Sequence, residues 1–128
     1  MDHLAVGAGW GPQPANTAER WACGAVRDFT EWRAWWQQHY ARHGARPATT
    51  PIGRFSPAGD SPFGITDMAG KVAEWTCSVY QRKKHFGAVR GGSWKNFRFQ
   101  TRTSERIACQ YKYSNFETGF RCVADAEG

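Results

Sequence analysis

The sequence predicts an α+β domain with one clear helix, a small antiparallel sheet and much irregular loop. Three observations support this fold class. An apolar stripe of helical period runs from Asp28 to His43, a stretch rich in proline and glycine follows it, and short strand-like runs come after that stretch. With 128 residues and no internal repeat, the chain is expected to fold as one domain, residues 1–128.

The helix is the best-defined element of the sequence. Asp28 is placed to cap its N-terminus, with Glu31 three residues on as in a capping box, and Gly44 is placed to end it. Its apolar stripe consists of Phe29, Trp32, Trp35, Trp36 and Tyr40. Tryptophan is not a strong helix former, so we expect burial against the core, rather than intrinsic propensity, to hold this segment.

Two histidines at the end of the helix, His39 and His43, are four positions apart and therefore share one face. A metal site on a helix uses this spacing, but it needs further ligands, which the neighbouring sequence does not supply. A helix end that reaches into solvent is the simpler interpretation.

The region after the helix is predicted to alternate between loop and strand. Glycines and prolines between Pro47 and Gly64 interrupt any regular element and predict a long ordered loop. Strands are predicted at residues 74–80, 88–90 and 119–124. The residues between Trp94 and Glu117 are too irregular for any element to be predicted.

The net charge of +6 raises the possibility of an acidic partner such as nucleic acid. The densest basic cluster, residues 82–84, is followed by a histidine and reads more simply as a solvated loop tip. No apolar stretch is long enough to span a membrane, so no membrane partner is expected. Residues 1–11 lack a basic region followed by an apolar run, which predicts a cytoplasmic location.

Cysteine chemistry is not indicated. The four cysteines, Cys23, Cys77, Cys109 and Cys122, show none of the close spacings typical of zinc sites and are expected to be buried, reduced thiols. Neither a serine-nucleophile elbow nor a cysteine–histidine signature is present.

Three short blocks carry a family resemblance: residues 61–76 (SPFGITDMAGKVAEWT), 89–94 (VRGGSW) and 119–123 (GFRCV). In this order they resemble the formylglycine-generating enzyme, or sulfatase-modifying factor, domain family. The resemblance implies a C-type lectin-like fold, and the family's enzymes oxidise a substrate cysteine to formylglycine with copper and oxygen. Residues 9–11 and 15–19 look like mid-domain segments of that family, so the resemblance covers its C-terminal half. The chain is then either a minimal domain that folds alone or a truncated one that a second chain completes.

The family's copper-binding cysteines correspond to Asn96 and Thr101 in this chain. Thiolates are the soft ligands that select Cu(I), and an amide and a hydroxyl cannot replace them. No copper cofactor is therefore expected, and the resemblance does not imply an active enzyme.

The same resemblance implies a structural calcium ion held by Asp67, the carbonyls of Gly70 and Val72, and Glu74. Calcium takes six to eight oxygen ligands in flexible geometry, which such a turn with added waters can offer. The alternative is that Asp67 caps a turn and Glu74 pairs with a nearby arginine. A weaker second site would use Asn16, the Thr17 carbonyl and Asp28.

Aromatic rings and cations interleave after the second block, a composition typical of recognition surfaces. The residues are Phe97, Arg98, Phe99, Arg102, Arg106, Tyr111, Lys112, Tyr113 and Phe116. The predicted ligand-binding set is Phe97, Arg98, Phe99, Arg102, Tyr111 and Tyr113. Trp94 and Phe120, which belong to the motif blocks, are expected in the core. The alternative is that about half of these rings are core as well.

Three functions remain open on these grounds. The first is a non-catalytic lectin-like module that binds a peptide, a protein or a small ligand. The second is an oxidoreductase of the same family, and the third is a nucleic-acid-binding accessory protein. Steep salt dependence would distinguish nucleic-acid binding from groove recognition.

Overall fold

The computed structural model describes residues 15–22 and 26–126, so residues 9–11 and Cys23 lie outside the described part. The elements are α1 (Ala18–Trp21), α2 (Phe29–His43), β1 (Ala73–Val79), β2 (Phe86–Arg90), a 3-10 turn (Arg98–Thr101), β3 (Ile107–Gln110) and β4 (Thr118–Gly119). This is a small mixed α+β arrangement with one main helix, as the sequence predicts. No helix in the described ranges is long and apolar enough to cross a membrane.

Helix α2 begins and ends where the sequence predicts. The Asp28 carboxylate accepts a hydrogen bond of 2.8 Å from the Glu31 backbone N–H. Gly44 ends the helix with φ of +64°, and its N–H donates to the Tyr40 carbonyl. Only half of the predicted capping box forms, because the Glu31 carboxylate accepts from the backbone N–H of Arg27 instead of that of Asp28.

The burial predicted for α2 is only partial, since no residue of the helix is fully buried. Trp32 and Trp35 are half-buried and pack against a small cluster of Ala18, Val26 and Phe97. The first and last rings of the apolar stripe are about half exposed, at 45% and 52%. The helix thus touches the core along one narrow side.

The sheet has the strand order β3-β2-β1-β4. Strands β1, β2 and β3 form antiparallel pairs, but β4 pairs parallel to β1, so the predicted antiparallel sheet is mixed. Strand β3 lies in the region where no element was predicted. The strand predicted at 119–124 is wrong beyond Gly119, because β4 pairs only with Ala73 and Glu74 and the chain then leaves the sheet.

Residues 44–72 contain no helix or strand, which confirms the loop predicted between Pro47 and Gly64. Hydrogen bonds over long sequence separations order it: Asn16 donates to the Ala48 carbonyl, and the Gly53 N–H donates to the Asp67 carboxylate. The segment around Gly70 bridges to Asn16. These contacts bring the loop against the start of β1, where two of the motif blocks meet.

Candidate binding pocket along strand β3

A cavity of about 520 Å³ opens beside β3. Its apolar wall includes Ala73, Val89, Cys109, Ile107 and Phe86. Polar groups from other segments form the rest of its lining: Lys95, Asn96, Gln100, Gln110, Asn115 and Glu117. Pockets of this size, mostly apolar with a few convergent polar groups, are typical ligand sites.

All four residues of β3 line the cavity, and β3 is an edge strand. In its antiparallel pairing with β2, Gly87 lies opposite Cys109 and Val89 opposite Ile107. The Tyr111 N–H donates to the His85 carbonyl, so these two residues form a hydrogen-bonded pair. Along an antiparallel ladder, hydrogen-bonded and non-hydrogen-bonded pairs alternate, which makes Ala108 and Ala88 a non-hydrogen-bonded pair. Ala108 therefore directs its backbone N–H and C=O away from β2, and within the described residues these two groups have no partner.

Asn96 and Thr101, the positions that correspond to the family's copper cysteines, are both buried and hydrogen-bonded within the chain. The Asn96 Oδ1 accepts from the Ser93 N–H at 2.8 Å and lies 3.1 Å from the Ser93 Oγ. Thr101 donates to the Arg98 carbonyl at 2.8 Å. Asn96 lines the cavity and Thr101 does not, so the two side chains do not converge on it.

Cys109 is the thiol that faces the cavity, and it is 8% exposed. Burial, and then the charge of Glu117, raise the pKa of this thiol above its ordinary value. The Asn115 amide lies 4.0 Å from its sulfur. Cys109 thus stays protonated at neutral pH and is a poor nucleophile and metal ligand. Cys77 and Cys122 are exposed, so the expectation of buried cysteines fails for both.

An ion pair stands at the rim of the cavity, where Lys95 Nζ lies 3.7 Å from Glu117 Oε1. The Lys95 ammonium also lies 4.5 Å from the centre of the Trp36 ring on α2. The Glu117 carboxylate, through its other oxygen, is 3.0 Å from Ser93 Oγ. Sequence reasoning missed Lys95 and Glu117 as site residues, because nothing in the chain indicated that they meet.

The predicted ligand-binding residues do not form one surface. Tyr113 lines the cavity and is 63% exposed. The prediction that Phe97 is an exposed ligand contact is wrong. Its side chain is 2% exposed and packs on Ala18 and Val26. Its ring also makes a T-shaped contact with Phe29 of helix α2, with ring centres 5.2 Å apart.

Arg98 and Phe99 of the 3-10 turn and Arg102, which follows it, lie on a separate surface patch. The Arg102 guanidinium sits 3.6 Å from the centre of the half-exposed Phe99 ring and pairs with Glu105 at 2.9 Å. Phe99 also meets Phe29 at 5.7 Å. None of the three patch residues lines the cavity.

Tyr111 is exposed and stacks on Trp75 with ring centres 5.9 Å apart. The two rings cover Gly87, where an added Cβ would come within 2.8 Å of Tyr111 and 2.9 Å of Trp75. The glycine therefore leaves room for the stack.

The rings of Trp94 and Phe120, which belong to the motif blocks, differ in burial. Trp94 is fully buried, as predicted, and packs against Trp36, His39 and Phe116. The prediction for Phe120 is wrong, since its ring is 76% exposed. The cause is the short β4, which ends one residue earlier and leaves the ring outside the sheet.

The turn expected to hold calcium contains two charged pairs. Arg121 donates to both carboxylate oxygens of Glu74, at 2.7 and 2.6 Å, and to the carbonyls of Thr66 and Asp67. These contacts with Glu74, opposed by burial, raise the pKa of the Arg121 guanidinium. Lys71 Nζ lies 3.9 Å from the Asp67 carboxylate. The contact between Glu74 and Arg121 corresponds to the arginine pair of the alternative interpretation.

The three residues of the weaker candidate calcium site each have hydrogen-bond partners elsewhere. Asn16 uses both ends of its amide, donating to the Ala48 carbonyl and accepting from Trp21 Nε1 at 2.8 Å. Thr17 follows Asn16 and donates its hydroxyl to Glu19. Asp28 is occupied as the cap of α2.

Two comparisons with known proteins indicate the same family. The family model described as the sulfatase-modifying factor enzyme 1-like domain matches residues 3–126. The bovine (Bos taurus) protein named inactive C-alpha-formylglycine-generating enzyme 2 is 30% identical over 83 residues, which cover 60% of this chain and 27% of the relative. The matched part thus spans about a quarter of that relative's length.

Proposed function

Because the chain belongs to the sulfatase-modifying factor enzyme 1-like domain family, we propose that it is a non-catalytic, lectin-like module that binds an extended peptide. The peptide would lie in the cavity beside β3. The observation that carries the proposal is the coincidence of this cavity of about 520 Å³ with the open edge of the sheet.

The lack of copper chemistry is argued from the side chains present. Asn96 and Thr101 are neutral, hard groups already hydrogen-bonded within the chain, and Cys109 is one protonated thiol. The name of the bovine relative describes that protein as inactive. For this chain, retention of the domain without the copper cysteines favours binding as the function.

An extended peptide fits the cavity because both its backbone and its side chains find partners there. A strand added beside β3 would hydrogen-bond to the outward N–H and C=O of Ala108. Alternate side chains of the added strand would then face the apolar wall around Val89 and Cys109. Gln100 and Asn115 offer amides to the peptide's polar groups, and the Lys95–Glu117 pair offers both signs of charge.

Selection of peptides from a random library, followed by affinity measurement, tests this mode of binding. We expect Ala108→Pro to weaken the selected peptides by about tenfold or more, because proline removes the outward N–H at the sheet edge. Ala108→Ser keeps that N–H and serves as the matched control with unchanged affinity. Ala108 is itself exposed, so both changes are made at the surface.

Amide hydrogen exchange on the unmodified protein gives a second measurement that needs no variant. The Ala108 amide should exchange more slowly when the peptide is bound. Equal affinity for a folded Ala108→Pro variant, or a protected footprint away from β3, contradicts the proposal. If binding weakens steeply as the salt concentration rises, the result would instead favour a nucleic-acid-binding protein.

The oxidoreductase alternative has its own test. A Cys-x-Pro-x-Arg peptide incubated with the protein, Cu(I) and oxygen should give no aldehyde above a control without protein. Aldehyde formation would favour an oxidoreductase over the binding module.

A further inference from the structure

In the turn between residues 66 and 74, side chains of the protein itself supply the positive charge that balances two carboxylates. Asp67 and Glu74 bring two carboxylates, and Lys71 and Arg121 bring two cations. All four line one cavity of about 350 Å³, with Ile52 and Phe120 at its margin.

The backbone of this turn needs support from outside. Asp67, Gly70 and Lys71 all have positive φ, at 56°, 72° and 64°. The left-handed conformation is unfavourable for residues other than glycine, so Asp67 and Lys71 hold it only when other contacts stabilise it. A bound cation is one way to supply such contacts, because it draws carbonyl and carboxylate oxygens together.

The Arg121 guanidinium already gathers these oxygens. Its Nε and Nη2 donate to the two Glu74 carboxylate oxygens, its Nη1 donates to the Thr66 carbonyl, and Nη2 also donates to the Asp67 carbonyl. It therefore ties the turn and the first strand to the C-terminal segment. Arginine suits this task because its donors are fixed in one plane and match a carboxylate in a bidentate pair.

Lys71 completes the charge balance. Its side chain is 16% exposed, and its ammonium faces the carboxylate of Asp67, whose side chain is 11% exposed. At this depth the pair is less screened than on the surface. With two negative and two positive groups the turn is neutral, and a divalent ion added between them would meet two cations nearby.

We infer that Arg121 and Lys71 take the place of a divalent cation in this turn, so that the fold of this chain does not depend on calcium. The residues present do not fit the calcium site that the family resemblance implies. Both Glu74 oxygens and the Asp67 Oδ2 already accept from other groups, whereas calcium takes six to eight oxygens.

Thermal unfolding with calcium and with EDTA tests the inference without any ligand of the β3 cavity. We expect the wild-type Tm to be the same in both solutions. A Tm that falls in EDTA and recovers with calcium would overturn the inference. Calcium binding by the wild-type protein at this turn, detected as terbium luminescence sensitised by tryptophan and competed by calcium, would also overturn it.

The reciprocal experiment removes both cations with Lys71→Asn and Arg121→Gln. This double variant should melt below the wild type in EDTA and gain roughly 5–10 °C when calcium is added, since the freed oxygens can then surround the ion. A folded double variant that loses no stability in EDTA, or that gains none with calcium, contradicts the replacement. The matched control, Lys84→Asn with Arg46→Gln, removes two exposed charges elsewhere and should show neither effect.

Discussion

Phe97 and Phe99 show at the residue scale how strongly position decides the role of a ring. They stand two positions apart at the 3-10 turn, and their rings are stacked 6.0 Å apart. Phe97 is 2% exposed, whereas Phe99 is 43% exposed beneath Arg102. The sequence could not separate them, because an aromatic residue next to an arginine is compatible with either place.

We predict that Phe97→Ala lowers the free energy of unfolding by about 3 kcal/mol, because it opens a cavity beside Ala18 and Val26. Phe99→Ala should cost less than about 1 kcal/mol, since its ring is already half in water. Urea denaturation of the two variants gives both numbers. Equal losses would show that the two rings do not differ in burial.

At the element scale, helix α2 docks through tilted and edge-to-face ring contacts rather than through a deep apolar face. The ring centre of His39 lies 5.1 Å from that of Trp35 and 5.8 Å from that of the buried Trp94. The ring centre of His43 lies 4.6 Å from that of His39. Burial, and then the charge of His43, lower the pKa of His39. The neutral imidazole is therefore the form that this packing favours.

This shift predicts an acid-sensitive helix. A lowered pKa in the folded state means that the unfolded chain binds the proton first as the pH falls below about 6.5. Stability from this group is thus present above that pH and is lost as the pH falls through the folded pKa. We expect thermal melts between about pH 7.5 and pH 5 to show a smaller drop in Tm for His39→Phe than for the wild type.

Another histidine provides the control for this helix experiment. His85 is exposed in the turn between β1 and β2 and has no ring contact with α2 in the described residues. His85→Gln should keep the full dependence of Tm on pH. If His85→Gln and His39→Phe flatten the pH dependence equally, the effect does not arise at the helix.

The elements also show what could be predicted from the sequence and what could not. The bounds of α2 follow from local signals, an Asp28 cap and a Gly44 stop, and the sequence predicts both. Strand β3 has the short run Ile-Ala-Cys-Gln without alternation, so only its pairing with β2 reveals it. The polar rim of the cavity depends on this pairing and on chain reversals, and for that reason Lys95 and Glu117 were missed.

At the scale of the whole molecule, the described core is small and much apolar surface remains outside it. Side chains at least three-quarters exposed include Ile52, Phe63, Phe120 and Val123, at 86%, 90%, 76% and 93%. Two of them, Ile52 and Phe120, line one cavity. Exposed apolar groups that gather in this way form a surface with affinity for apolar molecules.

We predict that the native protein binds an apolar fluorescent dye at the margin formed by Ile52 and Phe120. Ile52→Ser with Phe120→Ser should reduce the dye signal and change the Tm by little, since both side chains already face water. Val123→Ser serves as the control, because Val123 is equally exposed but does not line that cavity. An unchanged dye signal in the double variant would place dye binding elsewhere.

The parallel pairing of β4 with β1 has a consequence for the order in which the chain assembles. Six residues connect β1 to β2 and sixteen connect β2 to β3, whereas Glu74 pairs with Arg121, which lies 47 positions further along the chain. Contacts between neighbouring segments close small loops and form early, and contacts over such separations form late. We therefore expect the three-stranded part to form first, and the pairing of Arg121 with Glu74, which fixes the turn, to form last.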